Sequence, residues 1–311
     1  MPTPTPPPIA PAPGWLVPRR TLARPVSWAG VGLFDPATSS VEASPVTEPT
    51  GIVFELRPPA GPSPVTFALS LDHALGGSRH TVVGVAGVAG ASVATVEHLL
   101  SALWGMGVTD AHLRVAGPEV PALDGSALPF ARAIGSAGLR PLGERPAAVV
   151  REPIYISVGP ASITAEPLPP GSPPALGLRY QLEYDAPAAG LPPPIGPLHA
   201  GFSIDWAAPD GAAYAEAIAP ARTFATAAEA QALRAAGQFA HLSPSDVLVL
   251  GPAGPLAGAL RMADEPARHK LLDMIGDLAL LGRPLVGLVS SHRGGHALNR
   301  ALAAEIHRRG W

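Results

Sequence analysis

Between Arg268 and Gly282 the chain reads RHKLLDMIGDLALLG. His269 and Asp273 stand four residues apart, so on a helix both project from one face, one turn apart. Asp277 extends that face by another turn. An imidazole and a carboxylate in this relation can share one metal ion, and a second carboxylate can buttress a neighbour. Taken alone, the same spacing more often makes an ordinary solvated helix face. A second His-bearing segment far upstream changes the balance: Glu97-His98 near the start of TVEHLLSALWGMG. Adjacent helical residues point about 100° apart, so the two side chains can border one cavity without stacking. If His98 joins His269 and Asp273, zinc has two nitrogens and one oxygen, with a fourth position left for water. Zinc brings the pKa of such a water to about 7. Glu97, beside a ligand but not itself one, then stands as general base. Without the other pieces, Glu97-His98 is a charged first turn with a partly buried imidazole.

Three further pieces carry chemistry. In SSHRGGHALNR (290–300), Gly294-Gly295 allow a tight turn and His296 opens the last helix. A cationic imidazole there can stabilise an oxyanion or protonate a leaving amine, and Asp277 can hold it charged. The alternative is a helix-start histidine satisfied by backbone. In ARTFA (221–225), Thr223 offers a hydroxyl and Phe224 an apolar wall. Lys270 points either at a phosphate or at solvent.

The bulk composition narrows the field. The 311 residues are enough for two domains, each with a core. There is no cysteine, so any metal site must use His and carboxylates. A net charge of −3 with no long basic run argues against nucleic acid as a partner. No apolar run is long enough to span a bilayer. The start, MPTPTPPPIAPAPG, lacks the charged-then-apolar order of a secretory signal, so a cytoplasmic protein is expected.

The elements that must position these residues follow from periodicity. Strands are expected in Trp15–Val31 and at 51–56, 64–70, 81–88 and 109–117, with helices over 95–107 and 126–138. Thr95 is the expected N-cap of the first helix, 35–50 a polar loop and 139–150 a linker. The second half repeats the order: strands at 152–158, 161–167, 177–184 and 201–206, a helix at 226–237, a strand at 246–251, then the His269 helix, a strand at 284–291 and a final helix. His98 and His269 sit on the penultimate helix of each half, a repeat of pattern without matching residues.

Together RTLARPVSWAGVGL, SRHT, TVEHLLSALWGMGVTDAHLRVAGPEVPALDGSALPF, ARTF, RHKLLDMIGDLALLG and GGHALN resemble the zinc-dependent UDP-3-O-(3-hydroxyacyl)-N-acetylglucosamine deacetylases of lipid A biosynthesis. They occur in that family's order and span nearly the whole chain after the Pro-rich start. The resemblance implies an α+β fold of two similar two-layer α/β domains, with the site at their junction. The domains would be 16–140 and 151–311, joined by 141–150, after a disordered start at 1–15. It implies Zn²⁺ on His98, His269 and Asp273, with Glu97 as general base. His296 would be the second catalytic group, Asp277 its buttress, and Thr223 a donor to the tetrahedral oxyanion. Lys270 and Phe224 match substrate-contacting positions, and Arg293 one near the nucleotide diphosphate; Asp124 matches a polar position near the site. A βαβ insert near 224–251 would pass the fatty acyl chain. The implied partner is a nucleotide-sugar lipid taken up by a monomer with at most peripheral membrane contact. Three departures stand out: Phe34 replaces a histidine often found near the site, the loop after it, at 35–50, is unusually long, and His241-Leu242-Ser243 replaces a Gly-rich turn at the acyl passage. Two other classes follow from the same residues: a zinc amidase with another N-acyl substrate, and a non-catalytic nucleotide-sugar or lipid binder.

Overall fold

The computed structural model describes residues 15–57, 63–77, 79–184, 197–243 and 246–311. The expected disorder at 1–15 lies outside these residues but for Trp15, as does most of the Pro-rich stretch 185–200. Six α-helices are found among the described residues: α1 (Glu97–Gly105), α2 (Leu128–Ala137), α3 (Gly211–Ala217), α4 (Ala227–Ala235), α5 (Glu265–Leu278) and α6 (His296–Arg308).

The fold is mixed α/β, with two larger sheets packed against helices. In the first half five strands lie in the order Val26–Val31, Thr38–Ser44, Ala111–Ala116, Ile52–Arg57, Val65–Ala68. Only the pair Ile52–Arg57 and Ala111–Ala116 is parallel. In the second half the order is Ile154–Val158, Ala161–Glu166, Leu285–His292, Ala175–Leu182, Leu198–Asp205. There the parallel pair within this row is again the third and fourth strands. Each third strand follows one long helix and precedes another, α1 and α2 in one half, α5 and α6 in the other. The repeat read as a pattern of elements is therefore a repeat of topology.

Several stretches differ from expectation: the helix α3 and the short strand Ser92–Ala94 were not expected, and the strand expected at 81–88 covers only Val82–Gly84. Thr38–Ser44, inside the expected loop 35–50, is a strand whose buried positions are Ser39, Val41 and Ala43. Leu139–Pro146, within the expected linker, pairs antiparallel with Leu16–Leu22, and Ala148–Val149 pairs parallel with Leu285–Val286. The connection between the halves is ribbon, and its backbone groups are satisfied by pairing.

The helices lie against each other at the centre. α1 is buried along its whole length, and α5 everywhere except Arg268 and Lys270. A helix buried all round needs partners on every side; one apolar cluster runs through both sheets and these helices. α1 and α5 approach closely because Gly276 has no side chain: a Cβ there would fall on the carbonyl of Glu97. Trp104 of α1 meets Trp206 edge-to-face at 5.2 Å, and Trp206 Nε1 donates to the Leu285 carbonyl at 2.7 Å.

Candidate active site

The start of α1 meets the first turns of α5 at the seam between the halves, and this brings the two histidine segments together. One ligand atom from each of His98, His269 and Asp273 lies within 4.8 Å of the others. His98 Nε2 is 3.7 Å and His269 Nε2 3.4 Å from Asp273 Oδ1. The two imidazole rings stand nearly perpendicular, 5.0 Å apart. His269 Nδ1–H donates to the Ala221 carbonyl at 3.1 Å, which leaves the Nε2 lone pair facing Asp273. Burial pushes His98 down to about 3, helped by His269, and burial also lowers His269. Both rings are neutral at ordinary pH, as metal ligands must be.

Asp273 accepts from Lys270 Nζ at 2.8 Å through Oδ2, while Oδ1 is buried and has no hydrogen-bond partner. Burial opposes its charge, but the cationic Lys270 and His296 beside it hold it well below the usual carboxylate range. A buried, ionised oxygen left unpaired is costly unless a cation meets it. Two neutral imidazole nitrogens and one such oxygen suit a divalent ion of the zinc type.

Glu97 borders the same point. Its Oε2 accepts the Thr81 N–H at 3.0 Å, and its Oε1 is 3.8 Å from His296 Nε2. Burial pushes its carboxyl up to about 8; Asp277 and Asp273 push the same way and His296 opposes them. A divalent cation beside it favours the carboxylate. His296 Nδ1 pairs with Asp277 Oδ2 at 2.9 Å. Burial works against its charge, yet Asp277 and Asp273 hold it up at about 9, so it is an imidazolium at neutral pH. Asp277 also accepts from Asn299 Nδ2 at 2.8 Å and from the Thr81 hydroxyl. Thr81 and Asn299 were not foreseen. Lone hydroxyl and amide residues give no spacing signal, though Thr81 does lie in the family-like SRHT.

These groups open into a cavity of about 400 Å³ lined by Glu97, His98, His269, Asp273, His296, Thr223, Phe224 and Lys270 among others. Thr223 is fixed from both sides: its N–H donates to Gly125 O at 2.7 Å and its carbonyl accepts from Leu248 N at 2.9 Å. Lys270 Nζ sits 5.7 Å from the Phe224 ring centre. Asp277 lies behind His296. Arg293 is not among the described lining residues; it occupies the turn before α6 with φ 56°, its N–H on Gln181 O at 3.0 Å. Asp124 binds Ser126 Oγ at 2.7 Å and Arg261 at 2.9 Å, which orders its own turn. Thr95 is not the N-cap of α1. Its φ is 55° and its hydroxyl donates to buried Glu119 at 2.6 Å; α1 starts after Val96.

The model of the LpxC family, UDP-3-O-acyl N-acetylglycosamine deacetylase, matches residues 19–308. The chain belongs to this family. Among LpxC relatives, the UDP-3-O-acyl-N-acetylglucosamine deacetylase of Thermosynechococcus vestitus is 36% identical over 290 residues, 93% of each chain. That of Geobacter sp. strain M21 is 33% identical over 293 residues, 94% of this chain and 89% of the relative. That of Phenylobacterium zucineum is 34% identical over 295 residues, 93% and 92%. The LpxC match takes in both sheets and all six helices, and with them every residue of the cavity floor.

Proposed function

We propose that this chain hydrolyses the N-acetyl amide of UDP-3-O-(3-hydroxyacyl)-N-acetylglucosamine in lipid A biosynthesis, releasing acetate and leaving a free amino sugar. The observation that carries the reading is the junction of unpaired Asp273 Oδ1 with His98 and His269, directly beside Glu97 and His296. These three residues would hold zinc, which when bound would supply Lewis-acid polarisation of the amide carbonyl and a water acidified enough to attack it.

The chain's own groups do the rest. Glu97, held through Oε2 by the Thr81 N–H, keeps Oε1 free to take the proton of the attacking water. His296, kept cationic by Asp277, and the Thr223 hydroxyl donate to the oxygen on which negative charge develops. Glu97 or His296, whose facing atoms are 3.8 Å apart, then gives a proton to the departing amine as the C–N bond breaks. Lys270 and Phe224, which line the cavity, contact the substrate, and Arg293, in the turn before α6, serves the nucleotide diphosphate. The βαβ unit Phe224–Thr226, α4, Leu248–Gly251 supports an acyl passage beside the site. A cytoplasmic monomer with at most peripheral membrane contact goes with this reading; no helix among the described residues is long and apolar enough to cross a membrane.

A metal assay joined to acetate release tests it. Wild type is expected to hold about one zinc and release acetate; His269→Ala is expected to lose both. Full metal retention in the variant would overturn the site.

A further inference from the structure

The catalytic cavity ends on an apolar wall that includes Leu33, Phe34, Leu233, Phe239 and Val247. Beyond that wall lies a second cavity of about 310 Å³, lined by Ala230, Leu242, Val249 and Leu256 among others. Phe239 and Val247 line both cavities, so they form the partition. The Phe239 ring leans on Phe34 at 5.3 Å, and Phe34 leans on the His80 ring at 4.6 Å. Phe239 adopts φ 61°, a left-handed conformation rare for a bulky residue, which persists only where its surroundings dictate it.

Both faces of the partition are anchored. Buried Glu119 accepts the N–H groups of Leu33, Phe34 and Asp35, which fixes the Phe34 loop. His241 Nε2–H donates to the Gly32 carbonyl at 3.0 Å, tying the turn after Phe239 to that same loop. The segment carrying Phe239 is thus tethered across the seam to the first half of the chain.

We propose that Phe239, backed by Phe34, sets the acyl-chain length this enzyme accepts. The ring ends the apolar passage of the catalytic cavity, so methylenes beyond it gain no burial. Its removal joins the two cavities and extends the passage. The inference rests on the deacetylase reading and names Phe239 as a specificity-determining residue within it.

The test compares wild type, Phe239→Ala and Phe239→Ala/Ala230→Trp, each as zinc-loaded full chain with its fold checked by circular dichroism. Acetate release is measured on UDP-3-O-(3-hydroxyacyl)-N-acetylglucosamines with acyl groups of graded length, from four carbons to fourteen. In parallel, free 3-hydroxy fatty acids of the same lengths are titrated calorimetrically. Wild type is expected to gain about fourfold in kcat/KM per added methylene up to a break and nothing after it. Phe239→Ala moves the break to longer chains in both measurements, and Ala230→Trp, filling the second cavity from its far side, moves it back. Should Phe239→Ala fail to fold, Phe239→Leu is used and a smaller shift in the same direction is expected. An identical break in wild type and variant, or no break in wild type, would overturn the inference. A break that shifts in fatty-acid binding while no substrate releases acetate would uphold the inference and sink the deacetylase reading.

Discussion

On the proposed mechanism base catalysis turns on Glu97, whose two oxygens have different surroundings. Oε2 is occupied by the Thr81 N–H and Oε1 looks towards His296. Glu97→Gln keeps the shape and the acceptor for Thr81 but cannot take a proton. We expect acetate release to fall about 10²- to 10⁴-fold, with zinc stoichiometry unchanged; loss of metal in this variant would make Glu97 a ligand instead. At this scale much was legible in the residues. The four-residue step of His269 and Asp273 pointed to one helix face and became telling only with His98 on the equivalent helix; the structure brings the three together. What surrounds Asp277 was not legible. Its partners Thr81 and Asn299 come from a loop and another helix, 196 and 22 residues away in the chain. Phe34 is clearer in the structure than in the sequence: it stands in the cavity wall against Phe239, where its ring closes apolar space.

Among the elements, the contact of α1 with α5 sets the spacing of His98 from His269 and Asp273. Gly276 lies against the backbone of Glu97, and backbone cannot swing aside as a side-chain tip can. Gly276→Ala forces the helices apart at the residue before His98. Overpacking of this kind costs about 1–3 kcal/mol, and displacement of one ligand relative to the others weakens metal binding. A lower urea midpoint together with at least a tenfold weaker zinc dissociation constant is expected; an unchanged constant would show that the helices are not the positioning device. The elements themselves were read from sequence where one face is apolar. Thr38–Ser44 escaped because its buried side chains include Ser39 and Ala43, too small or polar to mark an alternation. Leu139–Pro146 escaped because no residue in it is fully buried, and Pro and Gly interrupt it. Thr95 was misplaced as a cap because Glu119, 24 residues on, takes its hydroxyl.

Across the whole molecule, stability in acid is expected to depend on buried carboxylates outside the cavity lining, Asp110 among them. Asp110 is fully buried, accepts from Arg19, Thr109 and the Gly51 N–H, and ties Leu16–Leu22 to the first sheet. Burial pushes its pKa up, but the Arg19 and Thr109 side-chain bonds and the Gly51 N–H outweigh this and hold it below the ordinary value. A depressed folded-state pKa means stability that is present above about pH 4, the unfolded value, and is lost as pH falls through the folded one. Asp110→Asn is therefore expected to cost about 2 kcal/mol at neutral pH, with the gap from wild type narrowing below about pH 4. Denaturant melts at neutral and acid pH check this; a gap that widens in acid would contradict the assignment.

We place the boundary between the halves at Ala147, where the ribbon passes from Leu16–Leu22 to Leu285–Val286 as pairing partner. A chain severed there would give two fragments, one carrying His98 and the other His269 and Asp273. On the proposed metal site, neither owns a complete set of ligands. Mixed in solution, they are expected to reassemble more tightly with zinc than with chelator, a difference that sedimentation can read, and the ion would then act as a solder between two halves of repeated topology.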